Sequence, residues 1–271
     1  MNTSVKANFF RLTYIYHDGF LLETDEAFIL FDLWRFPESQ SFLMDEISAA
    51  GKPLYVLVSH HHKDHFDRSI FDWQKLFPPG HIHYILSKDT ARSVRYMLGD
   101  KGLYKGQRVA EENFSILAPG DVFSDAIITV RAFGSTDTGN SYLLETGGKK
   151  IFHAGDLNAW IWKDESTDKE VARAISDFES IVKGIARMAP RLDLAMFPVD
   201  SRLGTDYWEG ASRFVRMIDV DRFVPMHFEL AENDSERAQR RKDALAFRLY
   251  RHPVRGEYIG LSAPGDTLEF I

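Results

Sequence analysis

Apolar residues recur in two rhythms along the 271-residue chain, and the rhythm changes several times. Phe9 to His17, Phe20 to Glu23 and Ala27 to Leu33 are short runs rich in aromatic and β-branched residues. Such side chains fit a pleated surface, and His17-Asp18-Gly19 and Thr24-Asp25 supply turn residues between the runs, so an antiparallel meander is predicted. Ser39 to Ala50 then reads as a helix stopped by Gly51 and Pro53. Leu54-Tyr55-Val56-Leu57-Val58 is apolar without interruption, the pattern of a strand covered on both faces.

Beyond Val58 the periods alternate. Helices are predicted over Asp67 to Leu76 and Asp89 to Leu98, with a strand at Ile82 to Leu86 between them. A second group of strands covers Phe114 to Leu117, Ile127 to Phe133, Ser141 to Glu145 and Lys150 to His153, and Gly147-Gly148 predicts a hairpin turn. Lys169 to Met188 is the longest helical pattern and is closed by Pro190. After it come a buried strand at Leu192 to Pro198, a helix at Tyr207 to Ile218 and a strand at Arg222 to Pro225. A helix at Ser235 to Tyr250 and an edge strand at Thr267 to Ile271 complete the reading. Strands followed by helices, twice over, predict two sheets packed face to face with helices outside. No Ser/Gly/Pro-rich linker, charge block or short repeat divides the halves, so one α/β domain of two related halves is expected over 1–271.

Composition narrows the function. Hydrophobic residues at 44% and charged residues at 27% are enough for a buried core. The net charge of -7 argues against a general nucleic-acid grip, which needs a basic face. The chain has no cysteine, which excludes disulfides, thiolate zinc sites and cysteine nucleophiles. The first residues lack a basic segment followed by an apolar stretch, and no apolar run approaches the roughly 20 residues that span a bilayer. A soluble cytoplasmic protein with no membrane association is the expectation; homo-oligomerisation is left open.

The strongest chemical signal is Ser59-His60-His61-His62-Lys63-Asp64-His65-Phe66, directly after the buried strand. Imidazole and carboxylate are the usual ligands of zinc, iron and manganese. In an extended or turning loop His60 and His62 point the same way, while Asp64 and His65 lie around a bend and can face a second centre. An expression tag would be terminal and would lack the internal aspartate.

His60-x-His62-x-Asp64-His65 resembles the signature of the metallo-β-lactamase superfamily. The resemblance implies a four-layer αββα sandwich holding one or two divalent ions at one edge. Phe152-His153-Ala154-Gly155-Asp156 is similar to the strand end whose aspartate bridges two ions, and Val224-Pro225-Met226-His227-Phe228 to the one carrying the last histidine ligand. Tyr16-His17-Asp18-Gly19-Phe20-Leu21-Leu22-Glu23, the strand end at Asp32, Leu192 to Pro198 and Pro264-Gly265-Asp266-Thr267-Leu268 resemble the lactonase-like branch, which includes ascorbate-6-phosphate lactonases. The resemblance implies a metal-dependent hydrolase of a small ester, lactone or phosphoester, with zinc as the first expectation and manganese or iron as alternatives. The implied ligands are His60, His62, Asp64, His65, Asp156 and His227.

One departure stands out. Where family members carry a further histidine, this chain reads Ala132-Phe133-Gly134-Ser135-Thr136-Asp137-Thr138-Gly139-Asn140, with Gly134 or Ser135 at the expected position. The centre of His60, His62 and Asp156 is therefore expected to be weakened, unless Asp137 or Ser135 substitutes directly or through water. The centre of Asp64, His65, Asp156 and His227 is complete by the family's division. Asp64 is expected to hold the attacking water or take its proton. By resemblance His17 and His153 are catalytic candidates, with core packing an equal reading for His153. The competing expectation is a catalytically degenerate member that binds metal in a structural or regulatory role.

Lesser features have plainer readings. His81-Ile82-His83 has ligand-like spacing but no acidic neighbour, Arg237 to Lys242 interleaves with acidic residues as a solvated helix face does, and Trp160, Trp162, Tyr207 and Trp208 suit either a pocket wall or a core cap.

Overall fold

The meander forms as the alternation requires. Strands β1 (Phe10–Tyr16), β2 (Gly19–Thr24) and β3 (Phe28–Phe31) pair antiparallel in sequence order. Helix α1 (Leu43–Ala49) crosses to β4 (Leu54–Val58), which lies parallel to β3. Next come β5 (Ile82–Ser87), helix α2 (Lys88–Ser93) and β6 (Phe114–Leu117), the two strands continuing the parallel half of the sheet. A second sheet starts with β7 (Val122–Ser124), β8 (Ile128–Gly134), β9 (Asn140–Thr146) and β10 (Lys149–His153). Helix α3 (Asp168–Met188) follows, opened by a capping box in which Thr167 and Glu170 bond each other's backbone N–H. Then come β11 (Arg191–Leu192), β12 (Leu194–Pro198), α4 (Glu209–Met217), β13 (Asp219–Val220), β14 (Arg222–Met226), α5 (Asp234–Ala246), β15 (Glu257–Tyr258) and β16 (Thr267–Phe270). This computed structural model describes residues 8–99, 108–162, 164–246 and 255–271.

Among the described residues the two large sheets run β16-β1-β2-β3-β4-β5-β6 and β15-β14-β12-β10-β9-β8-β7. The side chains of β4 show why they stack. Tyr55 and Leu57 enter the core shared by the two sheets, whereas Leu54, Val56 and Val58 pack with Met44, Ile47 and Ile70 under the outer helices. A strand with two apolar faces must be covered on both, and helix, sheet, sheet, helix satisfies that. On the far side Phe178, Val182 and Ile185 of α3 join the shared core, so the fold is the αββα sandwich of the metallo-β-lactamases.

The expected elements are present with shifted ends. β16 is an edge strand on β1, and Gly147 and Gly148 both adopt the positive φ that the β9–β10 hairpin turn requires. The predicted helix at Asp67 to Leu76 is a 3-10 helix at Arg68–Lys75, in which Ile70 and Trp73, three residues apart, share the buried side. The helix predicted to Leu98 ends at Ser93, because the chain turns to form a bridge between Leu98 and Val109. The predicted helix to Tyr250 is seen to Ala246, and its remainder lies outside the described residues.

Candidate metal centre

Seven strand ends meet at one edge of the sandwich. The β1–β2 turn carries His17 and Asp18, β3 ends at Asp32, and β4 runs into His60 to His65. From the second sheet, the β8–β9 loop brings Asp137, β10 leads to Asp156, β12 to Asp200 and β14 to His227. Two glycines let these loops touch. A Cβ on Gly139 would lie 2.1 Å from the Ser59 carbonyl oxygen, and one on Gly155 would lie 2.8 Å from the Ser59 Cβ. Among the described residues, the non-glycine positions with positive φ are His17, Asp32, Trp160 and His227, all at this edge. Strained backbone tends to gather where a functional site is built, and here it gathers at this edge.

An inner group is fully buried. His65 Nε2 lies 3.1 Å from Asp156 Oδ1 and 3.3 Å from Asp18 Oδ2. His227 Nε2 lies 3.2 Å from the same Asp156 oxygen and 4.0 Å from Asp18 Oδ2. The opposite nitrogens are held by carboxylates: His65 Nδ1 donates to Asp32 at 2.8 Å and His227 Nδ1 to Asp200 at 3.0 Å. Asp32 also accepts from Ser59 N–H at 2.7 Å and Ser59 Oγ at 2.6 Å, and Asp200 from Arg202 Nε at 2.8 Å. Burial would raise the pKa of both aspartates, but their imidazole partners, with Arg202 for Asp200, hold them below the usual carboxylate range. With its proton fixed on Nδ1, each ring turns a lone pair at Nε2 toward the centre.

An outer group sits beside it. His60 Nε2 is 3.4 Å from Asp156 Oδ2 and 3.0 Å from His62 Nδ1, and His62 Nδ1 is 3.4 Å from Asp137 Oδ2. Asp156 thus presents one oxygen to each group. The side chains of His62 and Asp137 are 45% and 42% exposed, so this group is open to solvent where the inner one is not. Of the two residues weighed as substitutes for the missing histidine, Asp137 faces His62, and Ser135 Oγ accepts the Asp137 N–H.

These donors fit a cation. His65 Nε2, His227 Nε2, Asp156 Oδ1 and both oxygens of Asp18 are buried without a hydrogen-bond partner among the described residues. With both rings neutral all of these atoms carry lone pairs, and acceptors alone do not satisfy one another. Converging unpaired acceptors are costly in an apolar interior unless a cation lies between them or, without one, the rings take up protons.

Three further candidates stand around this set. Asp64 lies at the rim of the inner set: its Oδ2 is 4.0 Å from His65 Nε2 and 3.7 Å from His17 Nε2, and its side chain is 21% exposed. His17 is buried against His227, with ring centroids 4.4 Å apart. Its Nδ1 accepts the Glu229 N–H at 3.2 Å, so the proton of the neutral ring sits on Nε2, aimed at Asp64. Burial, reinforced by His227, lowers its pKa to about 3 and keeps it neutral. His153 stands behind the cluster, with Nε2 donating to the Asp18 carbonyl at 2.8 Å and Nδ1 accepting the Gly155 N–H at 3.2 Å. Both its nitrogens are committed to backbone, and its ring stacks on Phe31 at 5.2 Å, so it positions the two loops from behind.

Asp18 and Asp200 were missed in the sequence, although each follows a recognised apolar strand as the assigned ligands do. Of the other features, His83 bonds Ser115 at 2.9 Å on the strand, and Arg241 pairs with the buried Glu229 at 2.7 Å. Trp160 reaches the site, its ring 5.4 Å from His227 and its Nε1 donating to the Asp156 carbonyl at 2.8 Å. A cleft of about 610 Å³ opens beside the cluster, lined by Trp34, Arg35, His61, Lys63, Phe66, Asp67 and Arg68. Trp34 joins the two, its ring 5.5 Å from that of His17.

Residues 37–228 match the Beta-lactamase superfamily domain. A protein of Pyrobaculum islandicum named UPF0173 metal-dependent hydrolase is 25% identical over 259 residues, covering 93% of this chain and 96% of its own. One of the same name from Heliobacterium modesticaldum is 24% identical, covering 95% and 96%. Among solved structures, Igni18, a metallo hydrolase from Ignicoccus hospitalis, superposes with a TM-score of 0.63 at 15% identity, covering 97% of this chain and 99% of that one. No helix among the described residues is long and apolar enough to cross a membrane. The chain belongs to the beta-lactamase superfamily and is a metal-dependent hydrolase of that family.

Proposed function

We propose that the chain hydrolyses a small ester, lactone or phosphoester at this edge, in the manner of the lactonase-like branch. The observation that carries the reading is Asp156, which offers one carboxylate oxygen to His65 and His227 and the other to His60. A bound divalent ion lowers the pKa of water from about 15.7 to roughly 7 and polarises a carbonyl or phosphoryl oxygen. Zinc is the first choice for a mixed imidazole and carboxylate set, and manganese and iron accept the same donors.

His65, Asp156 and His227 would hold the buried ion, and His60, His62, Asp156 and Asp137 the outer one. These residues would hold the outer ion more weakly, because His62 and Asp137 are half exposed and no buried carboxylate fixes the His62 ring. Asp64 sits at the partly open face, where it accepts the proton of the attacking water; the His17 Nε2–H stabilises its charge or that of the developing oxyanion. The carboxylate of Asp137 beside His62 favours a working hydrolase over a degenerate binder. The cleft supports a small substrate with an anionic group, since Arg35, Lys63 and Arg68 outnumber Asp67 on its walls.

A panel of p-nitrophenyl esters, lactones and phosphodiesters with added zinc or manganese tests the reading. Turnover that chelation abolishes, and that Asp64→Asn lowers by about 100-fold or more, supports general-base work. Absence of turnover across the panel, or an Asp64→Asn variant as fast as the parent, would remove it.

A further inference from the structure

We propose that Asp18 is a metal ligand of the inner centre, supplying a carboxylate beside that of Asp156; the inference rests on the metal-centre reading above. Asp18 is fully buried, and neither of its carboxylate oxygens has a hydrogen-bond partner among the described residues. Oδ2 points at the two rings whose free lone pairs face inward, 3.3 Å from His65 Nε2 and 4.0 Å from His227 Nε2. These two histidines and Asp18 form a set whose donor atoms lie within 4.8 Å of one another.

The other buried aspartates of the same edge show what a structural carboxylate looks like here. Asp32 takes bonds from Ser59 N–H, Ser59 Oγ and His65, and Asp200 from Arg202 and His227. Asp18 takes none. Its orientation is nevertheless fixed. The Asp18 carbonyl is held by His153, and the following Gly19 is closely packed, since a Cβ there would lie 3.0 Å from the carbonyl oxygens of Tyr16 and Asp32. A pinned, desolvated carboxylate without a donor is what a coordinating side chain looks like before its cation arrives.

Neighbouring groups cannot take its place. His17 belongs to the same cluster by distance, but its inward nitrogen carries the proton and has no lone pair to give. Asp64, the ligand expected by resemblance, lies 3.7 Å from His17 Nε2 and 4.0 Å from His65 Nε2, is partly solvated, and falls outside the set that Asp18 forms with the two rings. With Asp18 and Asp156 on the inner ion, the 2+ charge is balanced by two carboxylates, and Asp64 remains free to move a proton.

The test is a zinc titration against a competing chelator, combined with thermal melts of metal-free and zinc-loaded protein, for the parent and Asp18→Asn. The expected result is at least a tenfold loss of affinity for the tightest ion in Asp18→Asn, with the metal-free variant melting at or above the parent. Unchanged affinity in Asp18→Asn, with zinc still bound by the parent, would overturn the Asp18 assignment and leave the metal centre standing. So would a metal-free variant that melts several degrees lower, which marks a structural carboxylate. A parent that takes up no zinc would overturn both. Should Asp18→Asn fail to fold, X-ray absorption and a crystal structure of the zinc-loaded parent decide instead: an Asp18 oxygen about 2.0–2.2 Å from the ion is expected, and one beyond about 3 Å overturns the assignment.

Discussion

Asp32→Ala removes an acceptor that the whole metal edge is hung on. In the parent it receives Ser59 N–H at 2.7 Å, Ser59 Oγ at 2.6 Å and His65 Nδ1 at 2.8 Å, all in the buried interior. The Ser59 hydroxyl has a second partner in His60 Nδ1 at 3.0 Å and can turn to it. The Ser59 N–H and the His65 Nδ1–H have none, and each buried donor left unsatisfied costs about 1–3 kcal/mol. The pair comes to roughly 2–6 kcal/mol, and at about 2 °C per kcal/mol for a chain of this size the melting temperature should fall by about 4–12 °C. Asp32→Asn keeps one acceptor oxygen and should fall between the parent and Asp32→Ala. Because His65 also loses the group that fixes its tautomer, zinc affinity should drop by about 10–100-fold. Differential scanning calorimetry of the metal-free proteins and chelator competition read the two effects separately. A melting shift under about 2 °C, or unchanged affinity with a lowered melting temperature, would refute the reasoning.

Three further outcomes follow from the same geometry. Asp137→Ala should cost the outer ion while the inner ion keeps its affinity, so chelator titration should change from two steps to one; loss of both ions together would contradict the division. The second concerns pH. Burial opposes protonation of His65 and His227, but the charges of Asp156 and Asp18 win and raise both well above 6.5 in the metal-free chain. A raised histidine contributes stability that is complete below its unfolded value of about 6.5 and lost as pH rises through the folded one. Asp18, which burial pushes up to about 7 against the opposing charges of His227 and His65, acts in the same direction up to that pH. The metal-free melting temperature should therefore fall above pH 6.5, while the gain on adding zinc grows, since zinc displaces those protons. A zinc-induced gain that shrinks with rising pH would contradict this. Lastly, Arg35→Gln together with Arg68→Gln should raise KM by about tenfold for an anionic substrate and leave a neutral analogue within about twofold, as expected for removing charge that binds without reacting. Equal losses on both would dismiss the cleft as the binding site.

Much of the fold was legible because it is written in burial. The uninterrupted run Leu54 to Val58 predicts a strand with two covered faces, and it divides its side chains between two cores. Gly147-Gly148 predicts a turn that only residues tolerant of positive φ can make. The site was legible where ligands cluster in sequence, at His60 to His65, or follow a motif, at Asp156 and His227. It was not legible where geometry depends on two loops meeting. Nothing in the segment from Gly134 to Asn140 says that Asp137, rather than Ser135, faces His62; that follows from Gly139 pressed against the Ser59 carbonyl. Nor does the His17-Asp18 pair reveal which member faces inward with free lone pairs, because the Glu229 N–H that fixes His17 comes from 212 residues away. Helix ends were misplaced for a similar reason, with the pairing of Leu98 and Val109 outweighing the local helical pattern after Ser93.

The most direct check of the whole account is an anomalous difference map from crystals of the chain loaded with zinc. Two peaks are predicted, a stronger one enclosed by Asp18, His65, Asp156 and His227 and a weaker one among His60, His62, Asp137 and Asp156. An edge without a peak, or a single ion bound elsewhere on the chain, would contradict it.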